Sequence, residues 1–185
     1  PQIIEIINAM FFELGSAEAI ELGFRKRVDV SPEDYLHLVR MKAADVEAHT
    51  RISAILAEAS RKETEALSEL GRVLGMMIIL RDDMIDLMDF SESRARMKRE
   101  CLPLPALYAL QDENTGPRIK GILAKKTLNN ADAENILKMV CESDAIRRYE
   151  NLVTDLAEKA LSALRSAKLD KKSLRLLIRA TLPPT

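Results

Sequence analysis

Residues 71–89, GRVLGMMIILRDDMIDLMD, decide how this chain is read. Leu67, Leu70, Leu74, Met77, Ile78 and Met84 recur at helical spacing, which predicts one long helix from about Glu63 to Asp89, apolar almost all round. A helix of that kind belongs at the centre of a fold. Gly71 and Gly75 leave room on it for close approach by another backbone or a ligand. Its C-terminal end carries a DDxxD string, Asp82, Asp83 and Asp86, followed by Asp89. At about 100° per residue, Asp82, Asp86 and Asp89 fall within about 60° of one another with Asp83 on the flank, so one stripe is expected to carry all four carboxylates. Carboxylates on successive turns repel, and the negative end of the helix dipole adds to the cost, so the arrangement asks for a cation. Mg²⁺ meets that need, because it prefers hard oxygens and commonly bridges one or two carboxylates to substrate phosphates. Backward from the acidic end the helix presents Ile79, Ile78 and Gly75, an apolar wall. The pairing suits a substrate with a diphosphate head and a hydrocarbon tail. A solvated acidic helix end paired with Arg81 and Arg94 would also give this string.

The rest of the chain supplies a helical setting. Only six glycines and seven prolines punctuate 185 residues, and residues that lose little freedom in a helix dominate between them. The chain reads as all-α. Ile3, Ile6, Ile7, Met10, Phe11 and Leu14 predict a first helix from Gln2 to about Glu21, which Gly15 ends or loosens. Ser31-Pro32-Glu33-Asp34 is a cap, a first-turn proline and two acids, and opens a helix expected to run from Pro32 to about Ala59. Phe90 to Glu100 is polar and reads as a loop, a lid if Arg94, Arg96 and Lys98 cover an anion. A short apolar helix to about Leu110 follows Pro103 and Pro105, Asp112 to Pro117 is a turn cluster, and Asn129-Asn130 caps a helix to about Glu142. Asp144–Ala167 and Asp170–Ala180 read as the last two helices. No repeat or low-complexity linker divides the row, so residues 1–185 read as a single domain.

Composition narrows the function classes. Hydrophobic residues make up 47% and charged residues 31%, which fits a core-forming chain and excludes disorder. The net charge of −1, with no long basic run, argues against a nucleic-acid-binding surface. The longest apolar run, Leu74 to Leu80, falls short of a membrane span. Cys101 and Cys141 lie far apart without CxxC or histidine spacing, so neither a zinc site nor a disulfide framework is expected and a reducing cytoplasm fits best. His37 and His49 are isolated, and a structural or solvent role is expected for both. The first residue is Pro1, so the row is expected to be part of a longer chain.

Taken together, these segments resemble the trans-isoprenyl diphosphate synthases, or polyprenyl synthetases, in order along nearly the whole row. Glu21-Leu22-Gly23, Asp29 and Ser31-Pro32-Glu33-Asp34-Tyr35 look like that family's Gly-Gln segment and the start of its next helix. Lys42 sits where the family's lysine-threonine pair binds substrate diphosphate. Gly71 to Asp86 looks like the helix bearing the second aspartate-rich motif, which implies metal ligation by Asp82, Asp83 and Asp86. Arg99 to Pro103 lies at the Lys-x-Thr-x-Pro position, so Arg99 is a second implied diphosphate ligand. Glu142-Ser143-Asp144-Ala145-Ile146 resembles the late Glu-Ser-Gly-Ala-Ile turn. The resemblance implies an isoprenoid synthase-type helical bundle lacking its N-terminal helices, Mg²⁺ with Mn²⁺ as a substitute, a dimer, and condensation of an allylic diphosphate with isopentenyl diphosphate. Gly75, Ile78 and Ile79 would wall the apolar pocket.

Departures from the pattern bear on activity. The family's first aspartate-rich motif lies upstream of anything in this row. Phe24 replaces glutamine, Ala43 replaces threonine, Ile78-Ile79 stand where Phe-Gln is common, and Cys101 replaces threonine. These substitutions motivate an alternative, a non-catalytic partner subunit of a heteromeric prenyl diphosphate synthase. A terpene cyclase would need a hydroxyl and a Glu at offsets from Asp82 or Asp83 where neither occurs, and a di-iron bundle would need Glu-x-x-His repeats that are absent.

Overall fold

Ser60 starts the decisive helix with a local exchange of hydrogen bonds. Its backbone N–H and hydroxyl donate to Glu63 at 2.9 and 2.7 Å, and the Glu63 N–H returns to the hydroxyl at 3.3 Å, a capping box that satisfies free N–H groups of the first turn. The computed structural model describes residues 1–169 and 172–182. Its ten helices among those residues are α1 Gln2–Phe24, α2 Pro32–Lys42, α3 Ala44–Leu56, α4 Arg61–Met88, α5 Phe90–Arg99, α6 Leu104–Gln111, α7 Thr115–Leu123, α8 Asn130–Glu142, α9 Ala145–Ser166 and α10 Lys172–Ala180. The all-α expectation holds for them. Asp170, expected to open the last helix, lies outside the described residues.

The chain groups into two compact units, one of residues 1–19, 37–81 and 153–185, the other of residues 20–36 and 82–152. In the first, α4 is the apolar axis: Leu70, Val73, Met77 and Leu80 are almost fully buried, as are Leu38, Val39 and Leu164. Each such side chain contributes about 1.5–3 kcal/mol relative to exposure. One cation is buried among them. The Arg72 guanidinium reaches Glu13 at 2.7 and 3.0 Å, the Arg40 carbonyl at 2.6 Å, and Glu47, so its charge is matched on all sides.

Glycine decides how closely α4 packs. A Cβ on Gly75 would stand 2.7 Å from the Ala43 Cβ and 3.0 Å from its Cα, and one on Gly71 would meet Thr50 and the Val46 carbonyl oxygen at 2.7 Å. The space left by both glycines is therefore taken by the α2–α3 segment. The helix expected from Pro32 to Ala59 is interrupted at this place: Ala43, fully buried, separates α2 from α3 with ψ opened to 5°. Hydrogen bonds nevertheless continue through it, from the Ala43 N–H to Val39 O and the Glu47 N–H to Ala43 O. Other boundaries also differ from expectation. Gly15 does not interrupt α1, which runs on to Phe24. Of the expected apolar face of α1, Ile6 is buried while Phe11 is 65% exposed.

In the second unit, Leu87, Leu104, Leu107, Ile119, Ile136 and Tyr149 form the interior. The cap expected at Asn129 is present as a capping box with Asp132, and Lys125 pairs with that Asp132 at 2.5 Å. The segment expected as a loop is helix α5. The Asp89 carboxylate accepts from the N–H groups of Ser91 and Glu92 at 2.8 and 3.1 Å, and Ser93, Arg96 and Met97 are buried on one side. A cap and a tertiary partner for Arg96 supply what its polar sequence lacks. The turn cluster is likewise shorter than expected, since Asp112 bonds the N–H groups of Asn114 and Thr115 and α7 begins there.

Candidate functional site

The three aspartates of the DDxxD string leave the last turns of α4 into different surroundings. Asp82 is exposed, with no ion pair among the described residues. Asp83 is 3% exposed, and both its oxygens are engaged. The Tyr35 hydroxyl of α2 donates to Oδ2 at 2.5 Å, and Arg96 Nη2 of α5 stands 2.8 Å from Oδ1. Asp86, half-buried, meets Arg96 Nη1 through Oδ2 at 3.1 Å. A single guanidinium spans two of the three carboxylates.

Burial sets the electrostatics of this cluster. It pushes the Asp83 carboxyl above its usual range, against the pull of Arg96 and of the Tyr35 hydroxyl. Burial also raises the Tyr35 phenol, and Asp83 beside it raises it further, so Tyr35 stays a donor. For Arg96 burial works downward, but Asp83, Tyr35 and Asp86 outweigh it and hold the guanidinium charged. Arg96 Nε makes no hydrogen bond among the described residues; Glu100 lies 3.7 Å away. A buried cation held by two carboxylates is a rigid element, because losing either partner strands a charge.

Asp89 does not extend the carboxylate stripe. It leaves α4 and caps α5, also accepting from the Ser91 hydroxyl at 2.6 Å. Arg94, expected as a counter-ion, donates instead to Asn130 Oδ1 at 2.7 Å. The neutralising partner is Arg96, which sequence reasoning had placed in a mobile lid. No local signal marks it, since its partners lie ten and thirteen residues back, across a helix boundary.

No three His, Cys, Asp or Glu side chains among the described residues converge as a metal cage. Asp82 and the second oxygen of Asp86 are open hard-oxygen donors, which suits a cation that takes one or two carboxylates and completes its shell with water and phosphate. Asp83 has no oxygen to spare while Tyr35 and Arg96 hold it.

Within the other unit, Lys42 ends α2 with its Nζ 3.7 Å from Glu18. Ile78 is 40% exposed on α4, Ile79 is half-buried, and the space at Gly75 is filled by Ala43. Back in the second unit, which also holds Phe24 and Cys101, Arg99 is exposed at the end of α5. Phe24 ends α1 half-buried, and Cys101 is buried with Sγ 3.6 Å from the Leu102 carbonyl. His37 and His49 are exposed, the latter bonding the Asp45 carbonyl at 2.7 Å.

Comparison with known proteins gives this geometry its class. A family model described as Polyprenyl synthetase matches residues 1–140. The chain is 27% identical over 169 residues to "Solanesyl-diphosphate synthase 2, chloroplastic" of Oryza sativa subsp. japonica, covering 88% of this chain and 41% of that protein. It is 35% identical over 77 residues to the "Short chain isoprenyl diphosphate synthase" of Methanothermobacter thermautotrophicus, covering 41% of this chain and 24% of that one. A geranylgeranyl pyrophosphate synthase from Lactobacillus brevis, in complex with citrate, shares the fold at a TM-score of 0.86 and 20% identity, over 97% of this chain and 60% of that one. The chain belongs to the polyprenyl synthetase family. It spans about half the length, or less, of the first of these curated relatives. Among the described residues, no helix is long and apolar enough to cross a membrane.

Proposed function

We propose that the chain is the C-terminal part of the catalytic domain of a trans-isoprenyl diphosphate synthase, which condenses an allylic diphosphate with isopentenyl diphosphate. The observation that carries this reading is the split among the DDxxD carboxylates: Asp83 is anchored by Tyr35 and Arg96, while Asp82 and Asp86 keep open oxygens. Asp82 and Asp86 would hold Mg²⁺, or Mn²⁺ in its place, which when bound supplies charge that draws off the allylic diphosphate. Anchoring Asp83 fixes the end of α4, so the two open carboxylates are held without reorganisation cost. Lys42 and Arg99 are the cations assigned to diphosphate. Ile78 and Ile79 offer an apolar surface to the prenyl tail and keep water from the allylic cation. A cytoplasmic setting suits the free thiols of Cys101 and Cys141.

A second reading weighs the same ion pairs together with two buried substitutions. Arg96 already neutralises Asp83 and Asp86, and Ala43 and Cys101 are buried where hydroxyl residues would serve substrate. A partner subunit of a heteromeric synthase would show these features. The deciding assay gives the full-length protein labelled isopentenyl diphosphate, a series of allylic diphosphates and Mg²⁺. Elongated prenyl diphosphate, lost on chelation, supports a complete enzyme acting as a homodimer. Product only after a related subunit is added supports the second reading, and no product under either condition rejects both.

A further inference from the structure

Arg72 shares a stripe of α4 with Ile79 and Asp86. At about 100° per residue the three fall within about 40° of one another on that uninterrupted helix. The apolar wall of Ile78 and Ile79 therefore ends, on the side away from the acidic motif, at a cation. At 1.5 Å per residue, Arg72 lies about 15 Å along the helix from Asp82.

That cation is fixed in place. Arg72 Nε donates to Glu47, Nη1 to Glu13 at 2.7 Å and to the Arg40 carbonyl at 2.6 Å, and Nη2 to Glu13 at 3.0 Å. The Ser68 hydroxyl holds the other Glu47 oxygen at 2.9 Å. Moving the buried guanidinium aside would strand charges that are now matched. Glu13, Glu47 and Arg72 line a pocket of about 240 Å³ in the first unit, together with exposed Arg51 and with Ile6, Met10, Ala44 and Ala48. A hydrocarbon chain gains by leaving water for the apolar part of such a lining, but it gains nothing by displacing a satisfied ion network.

We propose that Arg72, clamped by Glu13 and Glu47, is the floor beneath the prenyl tail and sets the upper limit of product length. The inference rests on the prenyltransferase reading above and adds to it a short-chain product. Four backbone bonds of about 1.5 Å make an extended isoprene unit about 5 Å long, so about 15 Å between Asp82 and Arg72 accommodates about three units. The expected product is farnesyl diphosphate.

The test gives the full-length protein geranyl diphosphate, labelled isopentenyl diphosphate and Mg²⁺, and measures product length. Wild type should stop at farnesyl diphosphate. Glu13→Ala leaves Arg72 paired with Glu47 and should lengthen the final product by an isoprene unit or more. Arg72→Ala combined with Glu13→Ala and Glu47→Gln, which leaves no charge of the network unpaired, should do the same. A merely structural role would lower turnover at every length without moving the distribution. Titration with the unreactive thiolodiphosphates of geranyl, farnesyl and geranylgeranyl chains separates the floor from the reaction. In wild type, affinity should rise by at least about tenfold from geranyl to farnesyl and no further to geranylgeranyl, whereas in the variants it should keep rising. That affinity pattern without any turnover would reject the condensation and uphold the floor. The floor is overturned if wild type elongates freely past farnesyl, if wild type and both variants share one length distribution and one affinity pattern, or if none of the thiolodiphosphates binds saturably.

Discussion

Arg96 Nη2 stands 2.8 Å from Asp83 Oδ1, and both side chains are nearly sealed from solvent. The pair fastens α5 to α4 at the end where the open carboxylates project. Arg96→Met leaves Asp83 buried without its cation and should destabilise the protein by about 3–5 kcal/mol. Adding Asp83→Leu should recover much of that loss, since an apolar pair avoids the desolvation cost. Chemical denaturation of the single and double variants measures both steps.

Tyr35 carries the other half of Asp83. Tyr35→Phe removes a hydrogen bond to a charged group and should cost about 1.5–3 kcal/mol, with little change in the denaturation slope. A Tyr35→Phe protein as stable as wild type would mean that water or Arg96 takes over that oxygen.

Gly75→Ala sets helix propensity against packing. Alanine favours an exposed helix interior by about 1 kcal/mol, but here the new methyl would meet Ala43 Cβ at 2.7 Å and backbone behind it. Overpacking should win, with a net loss of about 1–3 kcal/mol. Ala43→Gly in the same chain should relieve it, so a favourable coupling in the double-mutant cycle is expected.

Asp89 predicts an acid sensitivity of known sign. The Ser91 side chain, with the N–H groups of Glu92 and Ser91, holds its carboxyl below the ordinary value of 3.8. The native state therefore binds fewer protons than the unfolded one, so the stabilisation is present above pH about 4 and is lost as pH falls through the lowered native value. Asp89→Ala should lower stability at pH 7 by removing the cap of α5 and flatten the acid limb. Stability against pH for both proteins checks it.

These predictions divide along what the sequence could carry. The caps at Ser31 and Asn129 are legible because a cap and its partner lie three residues apart, and α4 is legible because its apolar residues repeat within one element, although its own cap at Ser60, three residues before Glu63, went unread. Arg96 is not, because only tertiary packing distinguishes it from Arg94 two residues earlier. The helix α5 was hidden for the same reason: its buried face is made by Arg96 and Met97, and its cap by an aspartate that looked like the last member of a carboxylate stripe. The break at Ala43 lies against Gly75, 32 residues away, while periodicity on both sides continues without a mark. The acidic motif was therefore readable as a string of residue types, but the division of labour within it was set by contacts.

The most direct test compares Asp82→Asn with Asp83→Asn in the full-length protein, measuring Mg²⁺-dependent condensation and unfolding free energy side by side. Asp82→Asn should lower turnover by at least about tenfold and leave stability near wild type, whereas Asp83→Asn should first cost stability. Undiminished turnover in Asp82→Asn, or a stability loss confined to Asp82→Asn, would contradict it.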